Sequence, residues 1–168
     1  MYKDIERFVK NNTENKLFII SILIYIIWSI FVISSRIPFF DETNAWNIAA
    51  NCNFFELFEV AKHEGHLILW YLIIKPFASM DIGFPYSMFV INWIISFASV
   101  IVLWLFAPFD KWLKMFVTFS MPIQMYTAYA RCYSIGVFFL FIICAIYSKR
   151  FKHPFVNCTL KSGQLTNE

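Results

Sequence analysis

Between Lys16 and Arg36 the chain runs through nineteen consecutive residues, 17–35, without a formal charge. As an α-helix this run rises roughly 28 Å, close to the hydrocarbon thickness of a bilayer. Residues 86–107 form a second uncharged run, of 22 residues, with Asn92 as its one amide. Residues 113–130 and 132–148 are two further apolar segments, divided by Arg131, and Pro122 is expected to kink the first of them. The chain is 60% hydrophobic and 21% aromatic over 168 residues, more apolar surface than a soluble core of that size can hide. The expected class is an all-α membrane protein with about four transmembrane helices. The first run is too long for a signal-peptide core, and no cleavage site stands out after it, so an uncleaved anchor is expected.

Charge distribution sets the expected orientation, because Lys and Arg are retained on the cytoplasmic side. With four spans the inner side holds ten cations, at 3, 7, 10, 16, 111, 114, 149, 150, 152 and 161, against Arg36, Lys62, Lys75 and Arg131 outside. This divides the chain into a cytoplasmic tail (1–16), a membrane domain (17–156) and a polar tail (157–168) expected to be disordered. Residues 67–80 are apolar but short, and they contain Lys75 and Pro76. An interfacial or re-entrant helix fits them better than a fifth span, which would weaken the charge asymmetry. The net charge of +3 is small and concentrated at the inner ends, which argues against nucleic acid as a partner.

Chemistry gathers in the outer loop, residues 36–85. Six of the eleven acidic residues lie here: Asp41, Glu42, Glu56, Glu59, Glu64 and Asp81. Residues 54–62 alternate Phe54, Phe55, Leu57, Phe58 and Ala61 with Glu56, Glu59 and Lys62, as in an amphipathic juxtamembrane helix lying on a membrane surface. Gly65 then breaks that helix and presents His63, Glu64 and His66. A metal shared by the two histidines is weighed against an ordinary polar turn, and the turn is preferred. Asp41-Glu42 opens another helical pattern, 41–51, after Pro38-Phe39-Phe40. Asp41 there is either a base that takes a proton from a substrate hydroxyl or an N-cap for that helix. Arg131, at the outer end of the third apolar segment, can hold a phosphate at headgroup level or simply snorkel to the interface. Cys52, Cys132, Cys144 and Cys158 show no C-x-x-C spacing. A Cys52–Cys132 disulfide is geometrically open but less expected than free thiols.

Three motifs in order carry a family resemblance: Asp41-Glu42 after the first span, Glu64-Gly65-His66 before Trp70-Tyr71-Leu72, and Tyr129-Ala130-Arg131-Cys132-Tyr133. Together they resemble the N-terminal part of a GT-C membrane glycosyltransferase, of the bacterial branch related to protein mannosyltransferases and aminoarabinose transferases. The resemblance implies transfer of a sugar, with inversion, from a polyprenyl-phosphate donor to an acceptor on the outer face of the bacterial inner (plasma) membrane. It implies Asp41 as base, Glu42 as its support or as a contact to the acceptor, Arg131 as the group that stabilises the departing phosphate, and His66, Lys62, Glu64 and Tyr133 around the substrate. No cofactor is implied, and a divalent metal stays open. Leu67 and Ile68 stand where the family usually has two prolines, and the family's chains are longer, so a truncated product is expected. The competing expectation is a non-catalytic membrane protein that binds a lipid-linked glycan or another membrane subunit. Proton or ion transport is weaker, since no acid falls within an expected span.

Overall fold

The structure, a computed structural model, describes residues 12–64, 67–80 and 82–150, and all regular structure among them is α-helical. Eight helices follow in order: α1 (Asn12–Ser34), α2 (Phe40–Asn51), α3 (Phe54–Glu64), α4 (Ile68–Ser79), α5 (Tyr86–Phe106), α6 (Lys111–Thr118), α7 (Met121–Ala128) and α8 (Tyr133–Arg150). Two of them, α1 over Asn15–Ser34 and α5, are long and apolar enough to cross a membrane. The polar tail at 157–168 lies outside the described residues.

α1 is apolar nearly all round, yet only 17% of its most apolar stretch is buried. Ile20, Leu23, Ile27, Trp28 and Phe31 are exposed, whereas Ser21, Tyr25 and Ser29, spaced by four, form the buried stripe. Small polar residues on that stripe let a neighbouring helix approach and bond across. The Trp93 Nε1–H donates to Ser29 Oγ at 2.7 Å, and Tyr25 meets Thr127 Oγ1 at 2.9 Å. α5 packs most extensively on α8 and also touches α1, α4, α6 and α7. It joins two cores. Met88 and Phe89 near its start pack with Trp46, Leu57, Trp70 and Ile74 of α2, α3 and α4, while Val100 and Trp104 near its end pack with Tyr25 and Ile123.

Contacts at the two ends of α5 fix the course of its neighbours. Phe18, early in α1, lies 5.5 Å from the Trp104 ring, and Arg36, just past the end of α1, lies 4.1 Å from the Phe89 ring. α1 and α5 therefore run antiparallel. Residues 111–130 then return from the Trp104 end, where Trp104 Nε1–H donates to Thr118 Oγ1 at 3.0 Å, to the Phe89 end, where Arg36 also faces Tyr129. That return is not one kinked helix, as the sequence suggested, but two helices of eight residues, α6 and α7. The cause is Pro122: within a continuous helix its ring would clash with the carbonyl four residues back, at Thr118, where α6 stops. Ser120 becomes the N-cap of α7 and Pro122 falls in its first turn, where a missing N–H leaves no bond unmade.

Helix ends leave carbonyls without intrahelical donors, and buried ones must find partners elsewhere. Lys75 of α4 donates to the carbonyls of Ala49 (3.1 Å) and Cys52 (2.6 Å) at the end of α2, which also places its charge at the negative pole of that helix. Lys114 Nζ reaches Trp104 O at 3.0 Å, and Gln124 Nε2 reaches Thr118 O at 2.9 Å. Asn92 Nδ2 donates to both Tyr126 O and Thr127 O at 3.0 Å, closing the end of α7. Replacing Asn92 by Ala takes the donor from the buried Thr127 carbonyl and leaves Tyr126 O only the longer contact with Ser96 Oγ at 3.5 Å, so Asn92→Ala should destabilise the fold by about 1–2 kcal/mol. Unfolding in mixed micelles measures this, and a wild-type midpoint would show that the cap contributes nothing.

Candidate functional site

The site forms where the end of α1, the start of α2 and the α7–α8 junction meet. Pro38 disfavours helical backbone at Ile37, so the chain leaves α1 in extended form and re-enters helix at Phe40, with Phe39 as N-cap. Glu42 is then the third helical residue, and its carboxylate turns back to accept the Phe39 N–H at 2.8 Å. The same carboxylate accepts a fork from Arg36, Nη1 at 2.9 Å and Nη2 at 2.5 Å, and the Ala130 N–H at 2.6 Å. Each carboxylate oxygen thus receives two donors, and Glu42 is fully buried. The Arg36 guanidinium, 12% exposed, is stacked over Phe89 and faces Tyr129 at 5.7 Å, and Phe39 packs on Tyr129 with centroids 4.9 Å apart. A buried ion pair persists only when such bonds compensate the loss of hydration.

Asp41, the adjacent residue, faces outward. Its Oδ2 accepts from Arg131 Nη1 at 2.7 Å; Asp41 is 57% exposed and Arg131 19%. Capping of α2 thus falls to Glu42, and the helix starts one residue before Asp41. The Arg131 guanidinium lies 5.8 Å from the Tyr133 ring, which packs on Tyr126 at 5.4 Å. A cavity of about 180 Å³ opens beside this ion pair. Its walls are Phe39, Tyr126, Tyr129, Tyr133 and Met125, and its polar side is made by Asp41, Glu42 and Arg131. The volume is below the roughly 300–1,000 Å³ of a drug-sized pocket, so it suits one compact ring or headgroup. Aromatic faces around a carboxylate and a guanidinium can stack on an apolar ring face while the charges orient hydroxyl or phosphate groups.

Of the residues singled out from sequence, the fold brings Asp41, Glu42, Arg131 and Tyr133 together across some 90 positions of chain. Lys62 does not line the cavity. It donates to Glu59 at 2.7 Å on its own helix, with both side chains exposed, and that bond holds the Glu59 carboxyl below its ordinary range. His63 is exposed in the last turn of α3, whereas Gly65, His66 and Asp81 lie outside the described residues, as does the side chain of Glu64, so the pairing of the two histidines is not placed. Among the described residues no three His, Cys, Asp or Glu side chains converge as for a metal ion, and Cys52 and Cys132 are free thiols. Arg36, Phe39 and Tyr129 were not anticipated as parts of the site. The available signal was the spacing Arg36-x-Pro38-x-x-x-Glu42, in which a proline turn folds the cation back onto the acid.

The two adjacent acids should respond very unequally to substitution. Glu42→Ala leaves the Arg36 charge buried and unpaired and should cost about 3–5 kcal/mol, whereas Asp41→Asn removes a solvent-screened contact and should cost less than about 1 kcal/mol. Thermal unfolding in detergent separates the two, and equal losses would contradict the division of roles. No family model, curated protein or solved structure matches the chain.

Proposed function

We propose that the Asp41–Arg131 cavity is a GT-C-like glycosyl-transfer site, working on a polyprenyl-phosphate-linked sugar at the extracytoplasmic face of a bacterial plasma membrane. One observation carries the reading: an exposed carboxylate and a guanidinium stand 2.7 Å apart at the edge of an aromatic-walled cavity directly after a membrane-length helix. The antiparallel run of α1 and α5, and the return of residues 111–130 along α5, support four passes, with α6 and α7 together making the third and α8 the fourth. Both termini are then cytoplasmic, and the site lies on the outer side with Arg36 and Arg131.

In this reading the acceptor hydroxyl attacks the anomeric carbon from the face opposite the phosphate. A new carbon–oxygen bond forms, the proton of the hydroxyl passes to the Asp41 carboxylate, and the anomeric carbon–oxygen bond to phosphate breaks with its electron pair left on the phosphate oxygen. The phosphodiester becomes a monoester with one more negative charge, while Asp41 becomes neutral. Arg131, between the two, stabilises the charge that develops on the leaving group. Glu42 does no chemistry. It is a positioning residue, which holds α2 against Ala130 and so sets where Asp41 stands. A second reading, non-catalytic capture of a lipid-linked glycan, is favoured by the ion pair itself, because Asp41 is already engaged.

The decisive assay is sugar transfer from a polyprenyl-phosphate donor by the purified chain in nanodiscs. Asp41→Asn should lower turnover by roughly 10²–10⁴-fold at nearly unchanged stability. Turnover that survives in the variant removes Asp41 as base, and carrier binding without transfer by the wild type selects the second reading. Orientation is tested separately: a cysteine placed at Phe55, an exposed position on α3, should react with a membrane-impermeant thiol reagent added to intact cells. Protection there combined with labelling from the cytosol would remove the outer site altogether.

A further inference from the structure

Among the described residues the site holds two ion pairs, Arg36–Glu42 and Arg131–Asp41, and the two are built differently. Glu42 takes four donors, has no exposure, and lies under a guanidinium stacked on Phe89. It cannot leave without breaking the junction of α1, α2 and α8. Asp41 is held by a single hydrogen bond, is more than half exposed, and belongs to the cavity wall. An anion entering the cavity therefore meets the exchangeable carboxylate of Asp41, with the fixed one of Glu42 buried behind it. Exposed ion pairs are weak enough for a competing anion to replace a partner, and a phosphate offers a guanidinium at least as many acceptor oxygens as a carboxylate does.

We infer that Asp41 is an internal stand-in for a phosphate group: a phosphate monoester or diester headgroup takes Arg131 from Asp41, so that the carboxylate is released into the cavity only when the site is occupied. The exchange at Arg131 rests on the geometry of the pair, and the use of the released carboxylate as a base rests on the transfer reading above. The exchange couples occupancy to readiness. In the empty site Arg131 holds Asp41 away from any other proton donor, and in the occupied site the arginine has moved its pairing to the phosphate whose departure it must later stabilise. It also means that Asp41 opposes ligand binding, the reverse of what a carboxylate that merely oriented the ligand would do.

The experiment follows binding, not turnover. Wild type, Asp41→Asn and Arg131→Gln in nanodiscs of neutral lipid are titrated with methyl phosphate and with geranyl phosphate, and a parallel set is made in discs containing phosphatidic acid. Arg131 side-chain nitrogen resonances are recorded throughout. Asp41→Asn should bind at least about threefold more tightly than wild type, since the internal competitor is gone, and Arg131→Gln should lose binding. At saturation the Arg131 resonances of wild type should coincide with those of saturated Asp41→Asn, in which position 41 carries no carboxylate. Binding of methyl phosphate, of geranyl phosphate or of the phosphatidic acid discs each supports the exchange and identifies the source as free phosphate, prenyl carrier or phospholipid headgroup. Three results overturn it: no binding of any of the three, weaker binding by Asp41→Asn, or saturated wild type that keeps the Arg131 signals of the empty protein. Exchange without sugar transfer would sink the transfer reading alone, and sugar transfer without exchange would sink this inference alone.

Discussion

The buried carboxylate of Glu42 is the constraint on which the placement of everything near it depends. A carboxylate removed from water loses several kcal/mol of hydration, and here that loss is met by two guanidinium and two backbone N–H donors from two stretches of chain, the α1–α2 link and the α7–α8 junction. Because Arg36 follows α1, Phe39 precedes α2 and Ala130 follows α7, one side chain sets the mutual position of three helices. The bonds also fix which way α2 faces. Asp41, one residue earlier and so about 100° around the helix, must then point away from the buried pair and toward Arg131.

Much of the helical layout was legible from where charges are missing. The uncharged run at 86–107 folds as α5, and the apolar stretch at 67–80 contains α4. The segment at 113–130 was harder, because a hydropathy pattern carries no information on continuity. Pro122 in such a pattern signals a kink, yet its effect falls at Thr118, where the ring would have clashed, and the helix ends there altogether. For the site, adjacency in sequence gave away Asp41 and Glu42 but not their division of labour. Nothing in two neighbouring acids says which one is buried; that depends on Arg36, six residues back, and on a backbone amide 88 residues away. Lys62 pairs within its own helix and away from the cavity, since a cation three residues after an acid on a helix finds that acid first.

The cavity joins these local facts to function. Its aromatic walls come from the α1–α2 link, from α7 and from the α7–α8 junction, which the Glu42 bond to Ala130 and the Phe39–Tyr129 contact hold together. The pair that faces the opening is weak and solvated, whereas the pair behind it is rigid and dry. A rigid support carrying an adjustable charged face is what pre-organisation of a reactive group requires.

The side-chain donors at the helix ends have a consequence for how such a chain can be put together. α5 is completed by Lys114 from α6, α6 by Gln124 from α7, and α7 by Asn92 from α5. The dependence closes into a ring of three, so none of these helices is polar-satisfied on its own, and adding them one at a time always leaves some carbonyl groups waiting in apolar surroundings. The smallest unit that can settle is therefore the trio, and residues 86–128 should be gained or lost together.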